Sequence, residues 1–406
     1  MERNIVLLSY DNGQPTGVSQ YIKMLKKGLE ANSNYRIHSV ILDTNILFPD
    51  INQEFKEIIV RIPFEVSSLP FKELYWQKKY FKVIVDILIP YFTKLVNIIW
   101  HIQELFLCGL ANELKSAIGG NTILHLHILP WKFTFERNEQ LFNRLYSDFL
   151  IEKYDSISKN TIEKIAYKLS DKIICVSHSA KQYITSVSKI EPEKIVVIFN
   201  GLMNFNTGIL HSNEKKTTIL FVGRISKEKG VLELLKALEK IRTLGRKIDL
   251  KLIGDCSNEM KIKIAQEYKK CDYEICSRMS FEKLCELYSS SIIGVVPSLH
   301  EQCSYVAIEM SMFGMPMIVS DIDALSEMFE DEVNALKIPI VFDKDFGIEL
   351  DEKKLADAII RLIDDEALRL KLSANAIKNY QKRFTLEKMI ENTTNVYEQL
   401  IEQENA

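Results

Sequence analysis

The sequence lacks most of what would make it a disulfide-stapled, zinc-bound, fibrous or membrane-spanning protein. Its seven cysteines are an odd number, spread from Cys108 to Cys303 with no Cys-x-x-Cys pair, so reduced thiols are expected and neither a disulfide framework nor a structural zinc site. There is no low-complexity tract and no repeat of solenoid length. The longest apolar region, from about Val83 to Leu107, is interrupted by Asp86, Pro90, Lys94, His101, Gln103 and Glu104 and does not read as a spanning helix. Met1 to Asn12 runs straight into the strand-like "NIVLLSY", so no signal peptide is expected and the cytoplasm is the expected compartment. Charge of one sign is also missing: 52 Lys and Arg face 55 Asp and Glu, a net charge of −3. The first 200 residues are mildly basic, 24 cations against 21 anions, which hints at an anionic partner and gives no argument for nucleic acid.

What is present is a soluble composition, 47% apolar and 26% charged, on a chain long enough for two domains of about 200 residues each. Strand-like runs alternate with amphipathic helical patterns in both halves. The first half has "IVLLS", "RIHSVIL", "NIIWHI", "TILHLHI", "KIICVS" and "KIVVIF"; the second has "TTILFVG", "DLKLIG", "IIGVVPS" and "MPMIVS". Such alternation predicts an α/β protein of two doubly wound, Rossmann-like domains with parallel sheets, facing an interdomain cleft. The turn-rich, aperiodic stretch from Asn200 to Glu214 separates them. The expected domains are 1–200 and 201–385, with a final helix over 386–406 that returns to the amino-terminal domain.

The densest signal is "PSLHEQCSYVAIEMSMFGMPMIVS", residues 297–320. It reads as a strand end, a loop holding Glu301, a helix holding Glu309, a Gly314 and Pro316 stop, and a further strand. Glu301 therefore stands at the carboxyl end of a strand, where open α/β sheets bind ligands. Glu309 is surrounded by Val306, Ala307, Ile308, Met310, Met312 and Phe313, so it is buried and needs hydrogen-bond donors. A ligand would supply them; so would a structural ion pair.

Three further stretches point toward an anion or a sugar. In "ILFVGRISKEKG", Arg224, Lys227 and Lys229 precede a helix start, where positive side chains oppose the helix dipole unless an anion sits among them. In "DNGQPTGVSQYI", Gly13, Pro15 and Gly17 turn the first strand into a helix, as in any tight turn or as beside a ligand. In "ILHLHILPWKF", His125 and His127 share one strand face, and His101 ends an earlier strand; nearby spacing favours polar contact over a metal. Residues 71–95 interleave lysines with aromatics, which suits an ordinary packed helix or a weak peripheral membrane contact.

"FVGRISKEKG", "VIFNG" and the Glu-x7-Glu stretch together resemble the family 4 retaining glycosyltransferases of the GT-B fold, over nearly the whole chain and most strongly from about 170 to 335. The resemblance implies a metal-independent enzyme without cofactor, using a UDP- or GDP-linked sugar as donor. The acceptor would be a glycan, a lipid-linked sugar or a peptide. It implies that Arg224 and Lys229 neutralise the diphosphate and that Glu301 contacts hydroxyls of the transferred sugar. The amides of Cys303, Ser304 and Tyr305 would cradle sugar or phosphate, and Glu309 would hold the ribose. Gly17 would lie beside the diphosphate, His127 beside the donor sugar, and Arg278 and Met279 near the base. The catalytic set would be Arg224, Lys229, Glu301 and His127. Thr16-Gly17 and Gln302-Cys303-Ser304 depart from the family's usual glycines and aromatics, which bears on the identity of the sugar. Rival readings are a non-catalytic GT-B partner subunit and another GT-B enzyme, such as a sugar-nucleotide epimerase or a phosphorylase.

Overall fold

A computed structural model describes residues 2–54, 57–64, 74–129, 163–206, 218–343 and 347–405. The chain divides into two compact units: Met1–Asn200 with Leu386–Ala406, and Gly201–Thr385.

The first unit is built on an eight-stranded sheet in the order β3-β4-β2-β1-β5-β6-β7-β8. These are β1 Arg3–Asp11, β2 Tyr35–Asp43, β3 Asp50–Glu54, β4 Glu57–Pro63, β5 Ile98–Ile102, β6 Asn121–Leu126, β7 Lys172–Cys175 and β8 Ile195–Val197. All neighbours run parallel except the edge hairpin β3–β4. Ile5, Val6, Leu7 and Leu8 of β1 are all buried, the continuous apolar run of a parallel strand covered on both faces. The helix Gly17–Glu30 starts where Thr16 and Ser19 exchange side-chain and main-chain hydrogen bonds, and it buries Tyr21, Met24, Leu25 and Leu29. The helix Leu74–Phe92 turns Phe81, Ile84, Val85, Leu88 and Phe92 inward and leaves Lys82, Val83 and Asp86 exposed. Among the described residues no helix is long and apolar enough to cross a membrane.

The carboxyl-terminal helix Leu386–Asn405 packs within this unit. Glu398 accepts from Arg3 Nη2 (2.6 Å) and from the Tyr35 hydroxyl (2.5 Å). Gly28 makes room for Ile390, whose Cγ1 would lie 2.2 Å from a Cβ at that position.

The second unit has a six-stranded parallel sheet in the order β11-β10-β9-β12-β13-β14: β9 Thr218–Val222, β10 Asp249–Ile253, β11 Tyr273–Cys276, β12 Ile293–Val296, β13 Met317–Ser320 and β14 Leu336–Ile338. A small hairpin, β15 Ile340–Asp343 and β16 Gly347–Leu350, follows. Counted within the unit the order is 3-2-1-4-5-6, the doubly wound arrangement, so the direction in which successive strands are added reverses between the parallel neighbours β9 and β12 and opens a crevice at their carboxyl ends. The loops above the strands stay close: Gly254 (φ +144°) faces the carbonyl of Gly223, which would stand 2.0 Å from any Cβ there. The unit's first and last residues are tied together, with Leu202 N–H donating to Phe384 O (2.9 Å) and the Tyr380 hydroxyl to Leu202 O (3.0 Å).

Candidate functional site

In the second unit the predicted residues gather at the β9–β12 switch point. After β9 the chain passes Gly223 and Arg224, forms a tight turn over Lys227–Lys229, and enters the helix Val231–Thr243 through Gly230 at φ +67°. Gly230 lies against the end of β12: a Cβ would stand 1.9 Å from Pro297 O. Leu299 N–H donates to Glu228 O (2.9 Å), locking the turn to the loop that carries Glu301. The required left-handed backbone and the contact with main-chain carbonyl together make glycine obligatory here. Gly230→Ala is therefore expected to lower the melting temperature and displace Lys229, abolishing most activity; a variant with parental melting and turnover would contradict this packing.

Glu301 is the meeting point of that loop. Its carboxylate accepts from Ser298 Oγ (3.1 Å) and is in direct ion-pair contact with Lys229 Nζ. Two groups assigned separately from sequence, one to phosphate and one to sugar, are thus partners of each other. Ser298 is itself held through its carbonyl by the Ser320 hydroxyl at the end of β13. Arg224 is exposed and makes no ion pair among the described residues. Beside it, the Ser226 hydroxyl and the charges of Arg224 and His300 hold the Glu228 carboxyl below its ordinary range. Of the turn's three cations, Lys229 is committed to a carboxylate, while Arg224 is exposed to an incoming anion.

The helix Tyr305–Met312 begins at Ser304, whose Oγ accepts from Ala307 N–H (3.4 Å). Cys303 and Ser304 are buried at this helix start and Tyr305 is partly exposed. Glu309 is 9% exposed, and its Oε2 accepts from the Tyr288 hydroxyl at 2.6 Å. The reading that its donors would come from a ligand thus needs correcting by one: Tyr288, on the helix Phe281–Ser290, supplies a donor from the protein. Burial nonetheless pushes the Glu309 carboxyl up to about 7, because one neutral hydroxyl does not replace the lost hydration. Arg278 follows β11 and donates through Nε to Asp255 Oδ2 (2.5 Å) after β10, with Met279 next to it. An Asp-x-Asp triplet does occur, at Asp321–Asp323 after β13, but Asp321 is engaged by Lys337 Nζ (3.0 Å) and the Ser326 hydroxyl.

Gly17 and His127 belong to the first unit. Gly17 opens its helix with nothing within 4 Å of where a Cβ would project, so this position is open rather than crowded. Tyr21 of the same helix meets the His127 ring edge-on, centroids 5.0 Å apart, so both predicted residues serve one end of the sheet. His127 Nε2 lies 3.0 Å from Gln103 Oε1, and its ring stacks on His125 at 4.4 Å. Burial pulls the His127 pKa down to about 3, so the ring is neutral at ordinary pH. Sequence reasoning missed Gln103 and Tyr288: Gln103 figured only as an interruption of an apolar run, and Tyr288 drew no reading at all.

Both halves of the chain match known proteins. Residues 15–202 match the family described as Glycosyltransferase Family 4, and residues 204–379 match Glycosyl transferases group 1. An uncharacterized glycosyltransferase of Methanocaldococcus jannaschii is 32% identical over 153 residues, which cover 37% of this chain and 41% of the relative. The alpha-D-kanosaminyltransferase of Streptomyces kanamyceticus is 23% identical over 168 residues, 41% of each chain. The matches thus span less than half the length of these curated relatives. Among solved structures, a sucrose-phosphate synthase from Thermosynechococcus elongatus superposes with a TM-score of 0.76 at 20% identity, covering 99% of this chain and 100% of that one. HepE of Anabaena, solved with UDP, gives 0.71 at 14% identity over 98% and 100%. With a matching domain in each half and the GT-B fold throughout, the chain belongs to the family 4 glycosyltransferases.

Proposed function

We propose that the protein transfers a sugar from a nucleoside diphosphate sugar to an acceptor hydroxyl with retention at the anomeric carbon. The observation that carries this is the Lys229–Glu301 pair at the β9–β12 switch point, flanked by the exposed Arg224 and by a buried Glu309 with one protein donor. Arg224 and Lys229 meet the two phosphates, where charge builds as the glycosidic C–O bond breaks. Glu301 accepts from hydroxyls of the transferred sugar, and its charge favours the oxocarbenium-like carbon that forms beside it. Glu309 accepts from the ribose hydroxyls. The acceptor attacks from the face the diphosphate leaves, with its proton passing to the departing phosphate oxygen.

Relatives support the donor class: HepE of Anabaena was solved with UDP and with UDP-glucose, and starch synthase IV of Arabidopsis thaliana with ADP and acarbose. A non-catalytic partner subunit is disfavoured by the presence of Arg224, Lys229, Glu301 and Glu309 together. Since two protein cations face the expected diphosphate, turnover needs no divalent ion. Incubation with UDP- and GDP-linked sugars should release nucleoside diphosphate at the same rate with and without EDTA. Activity lost to EDTA and restored by magnesium or manganese would refute the metal-free mechanism, and no release from any donor would refute the transferase reading.

A further inference from the structure

One face of the helix Glu366–Arg383 lines a polar cavity of about 450 Å³ within the second unit, in the range of roughly 300–1,000 Å³ usual for small-ligand sites. It shares no lining residue with Arg224, Lys229, Glu301, Glu309 or Tyr288. Asn375, Lys378, Asn379 and Lys382 stand three or four residues apart along that helix and so project together. Opposite them run the end of the helix Asp323–Met328 and the turn that follows it through Asn334.

Side chains of the longer helix tie these two walls together. Asn375 Nδ2 donates to Val333 O (2.9 Å) and Asn379 Nδ2 to Met328 O (2.9 Å), while Arg383 donates through Nη1 to Met328 O (3.1 Å) and through Nη2 to Glu327 O (2.7 Å). On the turn, Glu330 N–H donates to Asn334 Oδ1 (2.9 Å). These bonds decide the orientation of each amide, since the reverse would set oxygen against oxygen or N–H against N–H. Asn375 and Asn379 therefore keep Oδ1 as a spare acceptor, and Asn334 keeps Nδ2 as a spare donor. None of the three atoms has a hydrogen bond among the described residues, and none is sealed from solvent.

Lys378 and Lys382 add ammonium donors, and neither forms an ion pair among the described residues. The helix dipole accounts for Lys382 and Arg383 in the last turn, but not for two oriented asparagines beside them. Glu327 and Glu330 also line the cavity, so three cations meet two carboxylates and the charge is nearly balanced. That balance suits a neutral ligand better than an anion. Interleaved acceptors and donors suit hydroxyl groups, each of which donates one bond and accepts others. Phe329 and Val333 supply apolar surface for the C–H groups of a sugar ring.

We propose that this cavity is a saccharide site separate from the Lys229–Glu301 pair, taking a neutral hexopyranoside whose hydroxyls donate to Asn375 and Asn379 and accept from Lys378, Lys382 and Asn334. On the transferase reading such a site keeps a glycan on the enzyme between transfers and raises its local concentration. The binding itself stands without that reading.

Saturation-transfer NMR and calorimetry on the full chain test it, with methyl glycosides of glucose, galactose, mannose and N-acetylglucosamine and with maltotriose and cellotriose as probes. At least one probe is expected to bind, and to bind Glu301→Gln equally well. Lys378→Ala combined with Lys382→Ala should weaken it about ten- to a hundredfold, the range for hydrogen bonds from charged donors. Asn375→Ala should weaken it about 2- to 12-fold, the range of one neutral bond. If Asn375→Ala does not fold, the double lysine variant, altered only at exposed positions, carries the test. Inorganic phosphate is expected to displace none of the probes. Binding of no probe, binding lost in Glu301→Gln but kept in the lysine variant, or displacement by phosphate each overturns the proposal. Because these titrations use no donor, a failure to turn over any nucleotide sugar would fall on the transferase reading alone.

Discussion

Glu301→Gln is expected to lower kcat by about ten- to a hundredfold, the worth of a charge-assisted hydrogen bond lost where charge develops. The amide keeps the shape and can still accept from Ser298 Oγ, so the loop should stay folded. It cannot neutralise Lys229, whose ammonium is in direct contact with the carboxylate. Freed of its partner, Lys229 turns fully toward the diphosphate, so free nucleoside diphosphate should bind the variant as tightly as the parent or more so. The loss therefore falls on the transition state, in kcat with little rise in KM. Calorimetry showing diphosphate binding abolished by Glu301→Gln, with kcat intact, would reverse the assignment of roles.

Glu309→Gln should show the opposite split, together with a gain in stability that depends on pH. The folded carboxyl titrates near 7 against an ordinary value of 4.5, raised by burial and only partly opposed by Tyr288. The folded state then binds its proton more tightly than the unfolded state, so stability falls as pH rises from about 4.5 through about 7. The shift corresponds to a cost on the order of 3 kcal/mol above that window, each kcal/mol worth roughly 2–4 °C in a domain of this size. The neutral amide escapes the cost: the variant should melt higher than the parent at pH 8 and no higher at pH 5. Its donor KM should rise by about ten- to a hundredfold, because ribose hydroxyls lose a charged acceptor in ground and transition states alike. A variant that melts lower at pH 8 would mean that fixed donors already satisfy the carboxylate, and its ligand role would fail.

The parallel core was legible because buried strands such as "IVLLS" and "IIGVVP" are nearly continuous apolar runs, with glycines where the chain must turn above them. Of the four sheet-edge strands only β8, within "KIVVIF", was: β3 is "DINQE", β11 is "YEIC" and β14 is three residues long, too short or too polar to show a period of two. The site divides in the same way. Glu301, Glu309, Arg224 and Lys229 stood out as charges in apolar or helix-start settings. Their mutual contacts did not, because Lys229 meets Glu301 only when strand order brings β9 beside β12. Tyr288 meets Glu309, and Gln103 meets His127, through hydrogen bonds between separate elements, which no local spacing encodes.

If the second unit binds the diphosphate of a nucleotide sugar through Arg224 and Lys229, a nucleoside diphosphate alone should suffice to reveal it. Titrating UDP and GDP calorimetrically into the protein and into Arg224→Ala tests it most directly. Saturable binding of at least one of them is expected without divalent metal, weakened about ten- to a hundredfold in the variant. Binding of neither, or equal affinity for protein and variant, would contradict it.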